Sequence, residues 1–115
     1  MRNRSWQGED SLSEAKRGVY AEYLRSISSS YGQAKSGQRS RIEDARLYAA
    51  TAAIEVLASR MVSVPSRYLA DEVIQVHSAI AAGAGVEEAT VTEVDRRRQE
   101  VVALFKADLG LKTRR

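Results

Sequence analysis

Apolar residues recur along this chain in steps of three and four, the spacing of one face of an α-helix. The first stripe is Leu12, Val19, Tyr20, Tyr23, Leu24, Ile27 and Tyr31, and it predicts a helix over 11–31. Ser11 with Glu14 three residues on has capping-box spacing, in which hydroxyl and carboxylate each satisfy a backbone N–H. Before it, residues 1–10 are polar, with Gly8 and a lone Trp6, and read as a disordered N-terminal segment. Ser28-Ser29-Ser30 weakens the other end, and Gly32 and Gly37 bracket a loop.

A second helix starts near Ser40, again with a glutamate, Glu43, three residues later, and runs to about Arg60. Two apolar stripes share it. One is Ile42, Ala45, Ala49, Ala52, Val56 and Leu57; the other is Leu47, Ile54, Ala58 and Met61. A helix apolar on two sides is expected to pack against more than one neighbour. The pattern breaks near Pro65, which suits a first helical turn, with Ser63 as its cap. Leu69, Val73, Val76 and Ile80 then mark a third helix, closed by Gly83-Ala84-Gly85. A fourth opens at Glu87 and Glu88, where carboxylates meet the positive end of a helix dipole. Its stripe is Val91, Val94, Val101, Val102, Phe105 and Leu109, interrupted by Arg98, and Gly110 stops it. The expected fold is all-α: one antiparallel bundle of about four helices over 11–110, followed by a basic tail at 111–115.

Charge adds a division. Residues 1–46 carry 9 basic and 6 acidic side chains, 47–85 carry 2 and 3, and 86–115 carry 7 and 6. The middle of the chain is thus nearly uncharged. It reads as a buried centre made of helices 2 and 3, with helices 1 and 4 as solvated covers. There are no cysteines, so disulfides and thiolate metal sites are excluded and a reducing compartment fits. No leader and no apolar stretch long enough to span a bilayer is visible, which gives the expectation of a cytoplasmic protein without membrane contact.

Candidate chemistry is sparse. A carboxylate-bridged di-iron bundle needs inward Glu-x-x-His pairs, but His77 is the lone histidine and position 74 is isoleucine. His77 reads as a surface or boundary residue. Ser13-x-x-Lys16 has the spacing of an acyl-transfer pair without the other loops such enzymes use. Gly83-x-Gly85 precedes a helix, yet Glu87 and Glu88 stand where a phosphate would sit. No catalytic residue, metal, cofactor or small-molecule substrate is therefore expected.

Two partner readings remain open. Basic side chains at Arg39, Arg41 and Arg46, with Arg114 and Arg115 in the tail, could contact nucleic-acid phosphates. Arg96-Arg97-Arg98 adds a run, but interleaved acids such as Glu93, Asp95 and Glu100 read as a salt-bridged, solvated face. Tyr20, Tyr23 and Tyr31 share one stripe and form a possible partner surface, since tyrosine is favoured in interface hot spots. The leading expectation is a non-enzymatic interaction or regulatory module, self-associating through an apolar face left over after bundle closure. The alternative is a small nucleic-acid-binding regulator.

Three stretches carry a resemblance. They are Arg17-Gly-Val-Tyr20-Ala-Glu-Tyr23-Leu24, Ile54-Glu-Val-Leu57-Ala-Ser59 and Val102-Ala-Leu-Phe105-Lys-Ala-Asp108-Leu109-Gly110. In order and spacing they resemble a broad set of uncharacterised actinobacterial helical-hairpin proteins. That resemblance implies long antiparallel helices and an actinobacterial or actinophage origin, and brings no catalytic residues. Many members carry a membrane helix before the first motif; no such stretch precedes it here, so anchoring is not expected.

Overall fold

A computed structural model describes residues 3–36 and 41–111. It contains four helices: α1 (Asn3–Ser36), α2 (Arg41–Leu57), α3 (Arg60–Ala81) and α4 (Glu88–Asp108). No strand occurs among the described residues. The chain is an all-α bundle measuring 59 × 33 × 20 Å. The long dimension follows α1, whose 34 residues span about 51 Å at 1.5 Å per residue.

Cross-helix contacts fix the directions. Tyr23 of α1 meets Ser66 of α3, and further along Ser30 meets His77, so α1 and α3 run parallel. Glu55 meets Arg67 and Tyr48 meets Asp71, so α2 runs against α3. Lys16 meets Asp108 and, further along α1, Tyr23 meets Phe105, so α4 runs against α1. The topology is up-down-up-down.

The element limits differ from the sequence expectation in two places and follow it in a third. First, α1 begins at Asn3 and ends at Ser36, well outside 11–31. Residues 3–10 hold no proline and a single glycine, so nothing stops the helix from extending; Ser11 is an interior residue rather than a cap, and the disordered 1–10 segment is corrected to helix from Asn3. Gly32 and the serine run also lie inside the helix, because Ser30 is buried and bonded across to α3. Second, the break between α2 and α3 falls at Ala58–Ser59. Ser59 accepts the first α3 amides of Val62 and Ser63 with its carbonyl. Pro65 sits inside α3, past the first turn, and Ser63 is a buried helical residue rather than a cap. Third, the last two boundaries follow expectation. Gly83 and Gly110 adopt left-handed φ of 79° and 75°, which glycine reaches without strain, and close α3 and α4.

The core runs through Tyr20, Tyr23, Ile27, Leu47, Ile54, Leu69, Val73, Val101 and Phe105. The helix at its centre is α3, which packs against all three others. The expectation of a buried α2–α3 centre is corrected accordingly. α2 buries one stripe, Glu43, Leu47, Ala50, Thr51 and Ile54. Its other stripe faces outward: Ile42 is 60% and Val56 83% exposed. α2 meets α1 and α3 with a single arc of its surface.

That one-sidedness predicts unequal mutants. Ile54→Ala should lower the unfolding free energy by about 2–5 kcal/mol. Val56→Ala, two residues on, should change it by less than about 0.5 kcal/mol. Urea unfolding followed by circular dichroism at low protein concentration measures both.

Candidate functional site

One end of the bundle is tied shut. Tyr20 stacks on Phe105 with ring centroids 4.0 Å apart, and Tyr23 meets the same ring edge-on at 5.5 Å. The Tyr20 hydroxyl donates to Asp108 Oδ2 at 2.5 Å, and Lys16 Nζ lies 3.1 Å from the same oxygen. The Tyr23 hydroxyl donates to the Ser66 carbonyl at 2.7 Å. Burial pushes both phenols above their ordinary range, and for Tyr20 the bond to anionic Asp108 adds to it. A phenolate there would be desolvated, so both stay neutral donors.

This corrects two residues of the proposed partner surface. Tyr20 and Tyr23 are core residues, because their positions on α1 point at α3 and α4 and their hydroxyls find partners inside. Tyr31 remains exposed, two turns further on, with its ring 5.4 Å from that of His77. Lys16, half of the Ser13-x-x-Lys16 pair, is bound to Asp108 and serves the clasp.

Towards the opposite end α1 and α4 flank an open space. Between them lies a cavity of about 300 Å³ with Val73, Val76 and Ile80 of α3 as floor. Ile27 and Tyr31 form one wall, and Val91, Val94 and Arg98 the other. His77 belongs to the floor. It is 4% exposed, and its Nδ1 shares a 2.8 Å hydrogen bond with Ser30 Oγ. The surface or boundary placement of His77 is therefore corrected. Its spacing from Val73 and Ile80 put it in phase with the buried face, and that signal was readable.

The basic residues divide. Arg39, Arg114 and Arg115 lie outside the described residues. Arg41 and Arg46 are exposed on α2, and Arg46 pairs with Glu43 at 3.2 Å. In the α4 run, Arg96 binds Glu93 and Glu100. Arg97 binds Glu93, approaches Glu72 at 3.6 Å and lies 4.6 Å over the Tyr68 ring. Arg98 is held differently: its nearest carboxylate, Asp95, stands 3.8 Å away, beyond hydrogen-bond distance. The three arginines therefore form no common patch, as consecutive helix positions dictate.

The outward stripe of α2 is the other feature. Ile42, Ala45, Ala49, Ala52 and Val56 lie opposite the stripe that α2 buries and are all exposed. Among the described residues no group of acidic and histidine side chains is arranged to hold a metal, and no helix is long and apolar enough to cross a membrane. Comparison with protein families, curated proteins and solved structures gives no match.

Glu93 supports a pH prediction. Hydrogen bonds from Arg96 and then Arg97 lower its carboxyl from the ordinary 4.5 to about 2. A group depressed in the folded state contributes stability above its unfolded pKa and loses it as pH falls through the folded one. NMR titration should find Glu93 at about 2. The urea midpoint should fall as pH drops from about 4.5 towards 2, and Glu93→Gln should reduce that fall. High salt should shrink the difference, because the group is at the surface.

Proposed function

We propose that this protein is a non-enzymatic helical interaction module that self-associates through the outer face of α2. The observation that carries the reading is the exposed stripe Ile42, Ala45, Ala49, Ala52 and Val56. Such a stripe has heptad-like spacing, and water leaves it only if another apolar face covers it.

Its sequence favours a second copy as that cover. The stripe is nearly palindromic about Ala49: branched, alanine, alanine, alanine, branched. A two-fold axis at Ala49 sets two α2 helices antiparallel, with Ile42 of one copy near Val56 of the other. Isologous contacts require such self-complementarity. Alanines at the centre let the helix axes approach closely. Arg41 of one copy then lies along the same edge as Glu55 of the other; Glu55 already holds Arg67, so this edge adds long-range attraction rather than a new ion pair. One helix pair is a small interface by the standards of stable dimers. The association should therefore depend on concentration.

Nucleic-acid binding has less support. Arg46, Arg96 and Arg97 already hold carboxylates, so phosphate would have to displace them. The resemblance to actinobacterial helical-hairpin proteins adds a proposed origin and no activity.

Sedimentation equilibrium from micromolar to millimolar concentration tests the reading. The expected result is a reversible monomer–dimer equilibrium. Ala49→Glu should abolish the dimer while leaving the helical circular dichroism unchanged, since the residue is exposed in the monomer. A strict monomer at millimolar concentration, or a dimer indifferent to Ala49→Glu, overturns it.

A further inference from the structure

The α4 stripe carries an anomaly. Val94, Val101 and Phe105 step by the intervals of one helix face, and position 98 is the slot between Val94 and Val101. An apolar residue belongs there, but arginine occupies it. Its side chain lines the cavity between α1 and α4.

We infer that this cavity binds a small amphipathic carboxylate, an aliphatic or aryl acid, with its apolar body on the α3 floor and its carboxylate on Arg98.

Size comes first. A volume of about 300 Å³ equals that of about ten water molecules in the liquid, or a ligand of about ten non-hydrogen atoms. A partner helix, about 10 Å across with its side chains, is too large to enter. Polarity comes second. Apolar side chains from three helices line the space, and a few polar groups converge on it, the usual composition of a small-molecule site. His77 is fixed at the floor by Ser30, which keeps that part of the wall preorganised.

Charge decides the head group. Arg96 and Arg97 are anchored by hydrogen bonds to carboxylates, whereas Arg98 has only Asp95 at 3.8 Å, on its Nε side. The terminal nitrogens of the guanidinium fork offer paired donors matched to a carboxylate. Asp95 also lines the cavity and opposes an incoming anion. Its side chain is 66% exposed, so water screens that repulsion. The site is built by α1, α3 and α4 alone, so it is independent of the α2 face proposed for self-association.

Octanoate and octanol, matched in length, are the probes. Calorimetry gives affinity, and methyl NMR gives location. Octanoate should bind and shift the methyls of Val76, Ile80, Val91 and Val94. Arg98→Met should weaken octanoate about tenfold, as loss of a charge-assisted pair implies, and leave octanol unchanged. Asp95→Asn should strengthen octanoate severalfold. Ile80→Trp, which fills the space, should abolish both. The inference is overturned if neither probe moves these methyls at millimolar concentration, or if Arg98→Met affects both probes alike. Methyl shifts at the cavity on raising protein concentration alone would make a second copy the occupant and overturn it as well.

Discussion

The contact on which the bundle depends is Tyr23. Its side chain has no solvent exposure; its ring meets the edge of Phe105 on α4, and its hydroxyl reaches the Ser66 carbonyl on α3. One residue of α1 thereby engages two other helices. A buried phenol must find an acceptor, or it loses on the order of 1–3 kcal/mol. The Ser66 carbonyl supplies that acceptor at one height along α3 only. The register of α1 against α3 is therefore set by hydrogen bonding as well as by packing. Ser30 with His77 keeps the same parallel direction about two turns on along α1 and three along α3.

From that clasp follows the asymmetry of the molecule. Tyr20 stacked on Phe105, with Asp108 held by Tyr20 and Lys16, ties α4 to α1 at one end. At the other end the rings of Tyr31 and His77 lie 5.4 Å apart, and the valines and isoleucines of α1, α3 and α4 face each other across a gap.

The helical pattern made most of this fold legible. Stripes at three-and-four spacing located all four helices, and Gly83 and Gly110 marked two ends because glycine alone enters left-handed φ cheaply. Stripes do not say which apolar face is used. α2 carries two, and only the contacts of α1 and α3 select Leu47 and Ile54 over Ile42 and Val56. Capping signals misled at Ser11 because the same residues are tolerated within a helix that begins earlier. Tyr20 and Tyr23 looked like partner residues because tyrosine serves both cores and interfaces; what separates the two roles is an internal acceptor, which no local pattern reveals. His77 was readable from its phase, but a lone polar residue carries a prior for the surface that its neighbours had to overrule.

Arg98 and the α2 face show how a stable bundle leaves surface for other uses. In a closed four-helix core a cation at position 98 would be buried between α4 and its neighbours, at a desolvation cost that unpaired charges seldom recover. The clasp removes that constraint: α4 is held through Phe105 and Asp108, so the stretch from Val91 to Arg98 need not seal the core. Likewise α2 fills its place in the bundle with one stripe, while the opposite stripe, with Val56 83% exposed, faces outward. Residues whose apolar or charged character the monomer does not require are where its sequence exceeds the needs of folding. By that criterion the outer face of α2 and the Arg98 end of the cleft are where we propose that this chain meets a partner and a ligand.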